Sequence, residues 1–217
     1  MTEIKLLEIT AIILALGIAI IGHEIMHGRV AYHFGDDTAK QLGRLSINPI
    51  VHIDPVGTIL VPALLYFSNA GFLFGWAKPV PINIPTVIRN GGYNGAIAVA
   101  LAGVTFNFAM AALAAALLHF LPQQPQGPGS FFLHAFLTYS VVYNIVLGLF
   151  NLIPIPPLDG SHVVVYEAKK HGFHDFANRF QAIGQYGMIL LIVLIATPIG
   201  DLIFAPMMRV IDLLLPN

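Results

Sequence analysis

The segment HEIMH, residues 23–27, brings two histidines and a glutamate together at the end of a long apolar run. Positions i and i+4 of an α-helix lie on one face, so His23 and His27 can direct two imidazole nitrogens at one ion. Glu24, offset by about 100° around the helix, is free to take a proton from a metal-bound water. This is the H-E-x-x-H arrangement of two zinc ligands and a general base. The residues predict a metal centre, and a chance match is the alternative.

A catalytic zinc site needs a third protein ligand and an open position, and the sequence offers three candidates. His33 stands where a longer zinc motif has its third histidine, but Val30 replaces the required glycine, and on a continuous helix His33 faces away. Glu167 stands near two lysines in a hydrophilic segment predicted as a loop, which is typical of solvated charge. Asp159 follows three prolines that end a helix and precedes a glycine that permits a tight turn. Asp159 is therefore the third candidate, and its alternative role is that of a helix N-cap, which aspartate fills well.

The composition indicates an integral membrane protein. Of 217 residues, 57% are apolar and 10% are charged, whereas soluble domains carry about 25% charged residues. The net charge of −1 gives no indication of nucleic-acid binding. The chain has no cysteine, so disulfides are excluded and a metal must be held by His, Asp, Glu or Asn side chains.

Several stretches reach the length of about 20 apolar residues that a membrane helix needs. We expect the first to be retained as a span rather than removed as a signal peptide. The predicted fold is an all-α polytopic membrane protein, a single domain over residues 1–217 with about 4–6 membrane-embedded helices. Its core helices are expected at residues 4–27, 96–121 and 131–153, with additional helices at 56–74 and 182–204.

Two regions are predicted to be irregular. Residues 36–55 are rich in turn formers and residues 78–90 contain three prolines, so we expect short extended or β segments near the active site. Residues 56–74, which include a proline and a glycine, either cross the membrane or enter it and return.

The distribution of basic residues favours a re-entrant segment at 56–74. Positive residues prefer the cytoplasmic side, and they are concentrated in residues 28–95 and 154–181, whereas the loop at 122–130 has no charge. If 56–74 does not cross, both basic regions lie inside and the uncharged loop lies outside. HEIMH and Asp159 then meet at the cytoplasmic ends of the first and third spans.

Two motifs together carry a resemblance to a known family. HEIMH on one apolar helix, followed by NLIPIPPLDG at residues 151–160, resembles the site-2 protease family of intramembrane zinc metalloproteases, which has HExxH in one core helix and NxxPxxxxDG in another. The segments GRLSINPIVHIDPVGT and FGWAKPVPIN resemble the compact bacterial and archaeal members. No hydrophilic stretch is long enough for a PDZ or CBS domain, so we expect the compact type.

The resemblance implies roles for residues of both motifs. His23, His27 and Asp159 would bind one Zn²⁺ per chain, and Glu24 would be the catalytic base. Asn151 would support the site, and Gly160 would provide the turn after Asp159.

A third element, AGVTFN at residues 102–107, stands where the family has a glycine-and-asparagine element on its middle core helix. Gly103 and Asn107 match, whereas Val104 replaces a common proline. The resemblance implies that Asn107 acts catalytically on the substrate or its oxyanion, and the alternative is a helix–helix hydrogen bond. Four further polar residues have no partner visible from the sequence and receive no assigned role: His52, Asp54, Asn144 and His162.

The implied function is zinc-dependent hydrolysis of a peptide bond within or next to a transmembrane segment, that is, regulated intramembrane proteolysis. The expected partners are membrane-protein substrates and the lipid bilayer, without nucleic acid. The expected location is the cell membrane, multi-pass, with the active site towards the cytoplasm. Two rivals are a zinc-binding membrane protein without hydrolytic activity and a scaffold with a structural metal. Glu24 disfavours the first, and the lack of a visible fourth ligand disfavours the second.

Overall fold

The computed structural model describes residues 3–68, 75–122 and 124–216, and this part of the chain is helical without any β-strand. By length and composition, four helical runs can cross a membrane: Glu3–His33, Ile84–Phe120, Pro128–Asn151 and His174–Ala196. The expectation of an all-α chain with several membrane helices is therefore confirmed.

The helices are numbered in chain order. They are α1 (Glu3–His33), α2 (Thr38–Gln41), α3 (Val61–Phe67), α4 (Ile84–Phe120), α5 (Pro128–Asn151), α6 (Asp159–Lys170), α7 (His174–Ala182), α8 (Gly187–Ala196) and α9 (Pro198–Leu214). Helices α1, α4 and α5 pack against one another, and α6 packs on α4.

Helix α1 joins this bundle through one stripe of residues. A buried residue recurs at every fourth position, and small side chains of this kind let membrane helices approach closely. The same stripe carries the two histidines, so packing and ligand placement share one face of the helix. Its members are Ala11, Ala15, Ala19, His23, His27 and Ala31.

Helix α4 is longer than the predicted span at 96–121, because it begins at Ile84. Its start is well specified, since Pro85 lies in the first turn and the Asn83 side chain accepts a hydrogen bond from the Thr86 amide. Gly92, with φ 62°, breaks the helical geometry and separates this first piece from the long apolar part. The prediction that residues 78–90 are extended was wrong from residue 84 onwards.

The region after α5 is also more helical than predicted. Helix α5 ends at Asn151 before the prolines, as expected, but the supposed loop at 154–181 contains α6 and α7. The predicted bounds of the helix at 182–204 were wrong. The apolar run begins in α7 and ends at Ala196, because Pro198 cannot continue the helix and instead opens α9.

Residues 36–55 were predicted to contain extended segments, but they form α2, turns and a 3₁₀ turn at Pro49–His52. A π-helical turn, Pro55–Leu60, leads into α3. Residues 69–74, the end of the predicted helix at 56–74, lie outside the described residues. On either side of this stretch, the Trp76 amide donates to the Gly57 carbonyl at 3.1 Å. Residues 57 and 76, which precede and follow this stretch, are thus in contact, and this contact supports the re-entrant alternative.

Residues 75–83 have neither helix nor strand and are tied to the α1–α2 region. The Arg44 guanidinium donates to the Lys78 carbonyl at 2.8 Å. The buried Asp36 carboxylate accepts hydrogen bonds from the Asn83 amide at 2.6 Å and from Thr38. Burial acts to raise the pKa of Asp36, but these hydrogen bonds outweigh burial and lower it below its ordinary value.

We expect Asp36→Ala to lower the free energy of unfolding by about 1–3 kcal/mol, because it removes the acceptor of two part-buried hydrogen bonds from backbone amides. The lowered pKa means that this contribution is present above the ordinary aspartate range, near pH 4, and is lost as the pH falls through the folded-state value. Denaturant unfolding in detergent at several pH values measures it. The control is Asp37→Ala, since Asp37 is exposed. Equal stabilities of the two variants would contradict the assignment.

Candidate metal centre

Helix α1 presents the two histidines to the interior of the bundle. His23 and His27 are each only 7% exposed, and their Nε2 atoms lie 3.0 Å apart. The i, i+4 spacing therefore produces the converging pair of imidazoles that the sequence predicted.

Asp159 reaches the same point from the first residue of α6. Its Oδ2 lies 3.1 Å from Nε2 of His23 and 3.3 Å from Nε2 of His27. The N-cap alternative is not realised, because the N-cap residue is Leu158 and no side chain caps the helix. The structure thus brings the three predicted ligands together, and they form the only such group of three among the described residues.

The hydrogen bonds around the imidazoles define their tautomers. Nδ1 of His27 lies 2.7 Å from the Val99 carbonyl, which can only accept, so this nitrogen carries the proton. Nδ1 of His23 lies 2.7 Å from Oδ1 of Asn107, an amide oxygen that likewise accepts. In the neutral rings both Nε2 atoms are therefore lone-pair donors facing Asp159.

These three donor atoms fit a zinc ion. Oδ2 of Asp159 is buried and has no hydrogen-bond partner, so two nitrogen lone pairs and a carboxylate oxygen face one another without a proton between them. Zinc–ligand bonds of 2.0–2.1 Å in a tetrahedral site place neighbouring donors about 3.3 Å apart. The observed separations of 3.0–3.3 Å match this spacing.

Asn107 is fully buried and does not line the cavity described below. Its Oδ1 faces His23, and its Nδ2 donates to the Ala19 carbonyl at 3.2 Å and to Oδ1 of Asn144 at 2.8 Å. Asn144 in turn donates to the Ser140 carbonyl. This geometry favours the helix–helix alternative for Asn107 and gives it a second task, the orientation of His23.

Asn144 is a residue that the sequence reasoning missed. It is 1% exposed in the middle of α5 and holds the Asn107 amide. Its position inside the predicted span at 131–153 could have identified it, because a polar side chain inside a membrane span needs a partner within the bundle.

Two predicted glycines permit close approaches at the site. A Cβ on Gly103 would lie 2.5 Å from Nδ1 of His23 and 2.5 Å from Nε2 of His27. A Cβ on Gly160 would clash with the Leu152 carbonyl oxygen. The first glycine brings α4 against the imidazoles, and the second lets α6 start directly beside the end of α5.

A cavity of about 510 Å³ opens beside the metal ligands. Glu24 lines it, and Oε2 of Glu24 accepts a hydrogen bond from the Val80 amide at 2.8 Å. Most of the remaining wall is apolar and comes from residues 75–84 and from helices α4, α5, α6 and α8. Asn151 also lines the cavity, and its Nδ2 donates to the Leu147 carbonyl.

The other sequence candidates lie outside the centre. His33 is exposed, and Glu167 forms an ion pair with Lys170 and lies 3.4 Å from Nε2 of His171. His52 contacts the Ser46 carbonyl, and Asp54 accepts amide hydrogen bonds at the start of the π-helical turn.

His162, which received no role from its sequence position, lines the cavity. It lies one turn beyond Asp159 on α6, and its ring stacks on Tyr166 with centroids 6.2 Å apart. Burial lowers the pKa of His162, and this effect outweighs the opposing influence of the Asp159 carboxylate.

Comparison with known proteins agrees with this centre. The profile described as Peptidase family M50 matches residues 123–195. YwhC of Bacillus subtilis (strain 168), provisionally named a zinc metalloprotease, is 38% identical over 190 residues, which cover 86% of this chain and 80% of YwhC. Rip2 of Mycobacterium tuberculosis (strain ATCC 25618 / H37Rv), also provisionally named a zinc metalloprotease, is 31% identical over 183 residues, covering 81% of this chain and 62% of Rip2. No solved structure matches the chain significantly.

The apolar helices and the three-ligand centre, together with these relatives, define a multi-pass membrane zinc metalloprotease. The chain belongs to peptidase family M50, the site-2 protease family.

We expect Gly103→Ala to weaken zinc binding about tenfold or more, because the added methyl group must displace the imidazoles from a closely packed site. Competition with a chromophoric chelator measures the affinity. The control is Gly17→Ala on α1, since a Cβ at Gly17 meets no atom within 4 Å. Wild-type zinc affinity in a folded Gly103→Ala protein would refute the close approach.

Proposed function

We propose that this protein is an intramembrane endopeptidase, which cleaves a membrane protein within or next to a transmembrane segment. The observation that carries the proposal is the depth of the metal centre. Gly103, at which a Cβ would lie 2.5 Å from Nε2 of His27, is about 10 Å from residue 96 and about 27 Å from residue 121 along the apolar part of α4, at 1.5 Å per residue. A metal centre at this depth acts on peptide bonds that lie inside or at the edge of the bilayer.

The side chains around the cavity have the types that hydrolysis requires. His23, His27 and Asp159 would hold the zinc ion, which polarises a water molecule and the scissile carbonyl group. Glu24 takes a proton from the attacking water, whose oxygen bonds to the carbonyl carbon. The carbon–nitrogen bond then breaks, its electron pair stays on nitrogen, and Glu24 returns the proton to the leaving amine.

A helical substrate segment hides its carbonyl groups in the i→i−4 hydrogen bonds and must unwind before attack. We propose that the irregular residues 75–83 contact the unwound substrate, since Trp76, Pro79 and Val80 line the cavity. This segment overlaps the region at 78–90 that the sequence predicted to be irregular.

A zinc-binding membrane protein without hydrolytic activity is the rival function. Metal binding requires only the three ligands, yet Glu24 lines the cavity beside them. The position of this carboxylate supports hydrolysis, because a ligand set alone has no need of a base.

We further propose that the centre lies towards the cytoplasm. The hydrogen bond between Trp76 and Gly57 supports a re-entrant segment at 56–74, and basic residues on both sides of that segment then share one side of the membrane. This arrangement follows the preference of Lys and Arg for the cytoplasmic face.

Glu24→Gln is expected to abolish cleavage, with a loss of about 10²–10⁴-fold in kcat, while zinc content stays unchanged, because the base is removed but the ligands remain. Asp159→Asn is expected to lower zinc content itself. Proteomic comparison of membranes containing the Glu24→Gln protein identifies substrates that accumulate, and metal analysis measures zinc. The matched control is Glu3→Gln, at an exposed position on the same helix. Unchanged substrate processing by Glu24→Gln would refute the hydrolytic function.

Single cysteines test the orientation, since the natural chain has none. An impermeant maleimide is expected to label Gln126→Cys in intact cells, and to label Lys40→Cys and Arg89→Cys only after permeabilisation. All three positions are exposed. Labelling of Lys40→Cys and Arg89→Cys from opposite sides would show that residues 56–74 cross the membrane.

A further inference from the structure

The cavity contains an imidazole that the metal centre does not use. His162 is half-buried in the cavity wall, and no hydrogen bond to either ring nitrogen occurs among the described residues. Positions i and i+3 are neighbours on one helix face, so His162 lies beside Asp159. A neutral imidazole carries one N–H donor, and this one is open to a bound substrate.

Most other polar groups near the centre are already engaged. The Nδ1 atoms of His23 and His27 donate to Asn107 and to Val99. Both Nδ2 hydrogen bonds of Asn107 are directed to the interior of the bundle. The expected oxyanion donor thus has no N–H to offer, so a hydrogen bond that adds to the stabilisation of the developing negative charge must come from another side chain.

We propose that His162 is a catalytic residue that donates an N–H hydrogen bond to the scissile carbonyl oxygen as this oxygen becomes negatively charged. The inference rests on the proposed endopeptidase function and deepens it. The water oxygen bonds to the carbonyl carbon, the π electron pair moves to the carbonyl oxygen, and the water proton passes to Glu24. His162 stabilises that oxygen without giving up its proton.

When the tetrahedral species collapses, the electron pair on oxygen re-forms the carbonyl group. The carbon–nitrogen bond breaks, and the amine nitrogen takes the proton from Glu24. The hydrogen bond from His162 is strongest while the charge exists, so it lowers the barrier rather than improving ground-state binding.

Two further observations support this role. The parallel contact with Tyr166, with 19° between the ring planes, restricts the orientation of the imidazole. Burial also lowers the pKa of His162, which keeps the ring neutral near neutral pH and leaves a single, directed N–H donor.

The test uses the full-length protein in detergent and a single-span peptide of about 20 apolar residues with a fluorophore and a quencher on either side of the cleavage site. We expect His162→Phe to lower kcat about 10²–10³-fold, with KM and zinc content unchanged. His162→Gln, which keeps an N–H donor, is expected to recover part of the rate. Affinity for a phosphinic peptide, which mimics the tetrahedral species, is expected to fall in parallel with kcat/KM.

His171→Phe is the matched control, because it makes the same change at an exposed position that does not line the cavity; its rate is expected to stay near wild type. Wild-type kcat in His162→Phe, or a loss of zinc in that variant, would overturn the role of His162 and leave the endopeptidase function standing. A greater loss in Tyr166→Phe than in His162→Phe would assign the donor to Tyr166 instead. Absence of cleavage by wild-type protein, with zinc bound, would overturn both proposals.

Discussion

Two imidazole Nε2 atoms and one carboxylate oxygen lie within 3.3 Å of one another in the interior of the bundle. None of the three has a proton to share when Nδ1 of each ring is engaged as a donor. The arrangement is unfavourable by itself, because lone pairs and a buried negative charge face each other without a cation. Zinc binding removes this conflict, so the packing of the core helices and the occupancy of the metal site are coupled.

The small residues of α1 and α4 allow the three metal-ligand atoms to lie this close together. Membrane helices cannot rely on water exclusion to associate, so close packing and interhelical hydrogen bonds must hold them together. On α1 the alanine stripe leads into His23 and His27 without a change of spacing, and on α4 Gly103 leaves room for both rings. The Val99 carbonyl and Asn107 then supply interhelical hydrogen bonds that also fix the imidazoles.

Local patterns predicted the ligands and most spans, because helix periodicity and proline punctuation are properties of short segments. HEIMH and the prolines before Asp159 were informative in this way. The extension of α4 to Ile84 was missed because its prolines suggested an extended chain, whereas Pro85 occupies the first turn, where a missing amide donor costs little. Asn144 and His162 were missed because their significance depends on partners and on a cavity wall from other helices. The roles of individual site residues and the single-domain boundary stay predictions.

The polar residues around the centre divide into two groups by burial. Asn107 and Asn144 are almost fully buried and form hydrogen bonds within the bundle, and Asn107 also contacts His23. Glu24 and His162 are half-buried and face the cavity, where a substrate can reach them. A group with all its hydrogen bonds satisfied inside the protein is rigid, and rigidity suits a group that orients a ligand. A group that must exchange a proton or meet a developing charge needs an open position, which only the cavity wall provides.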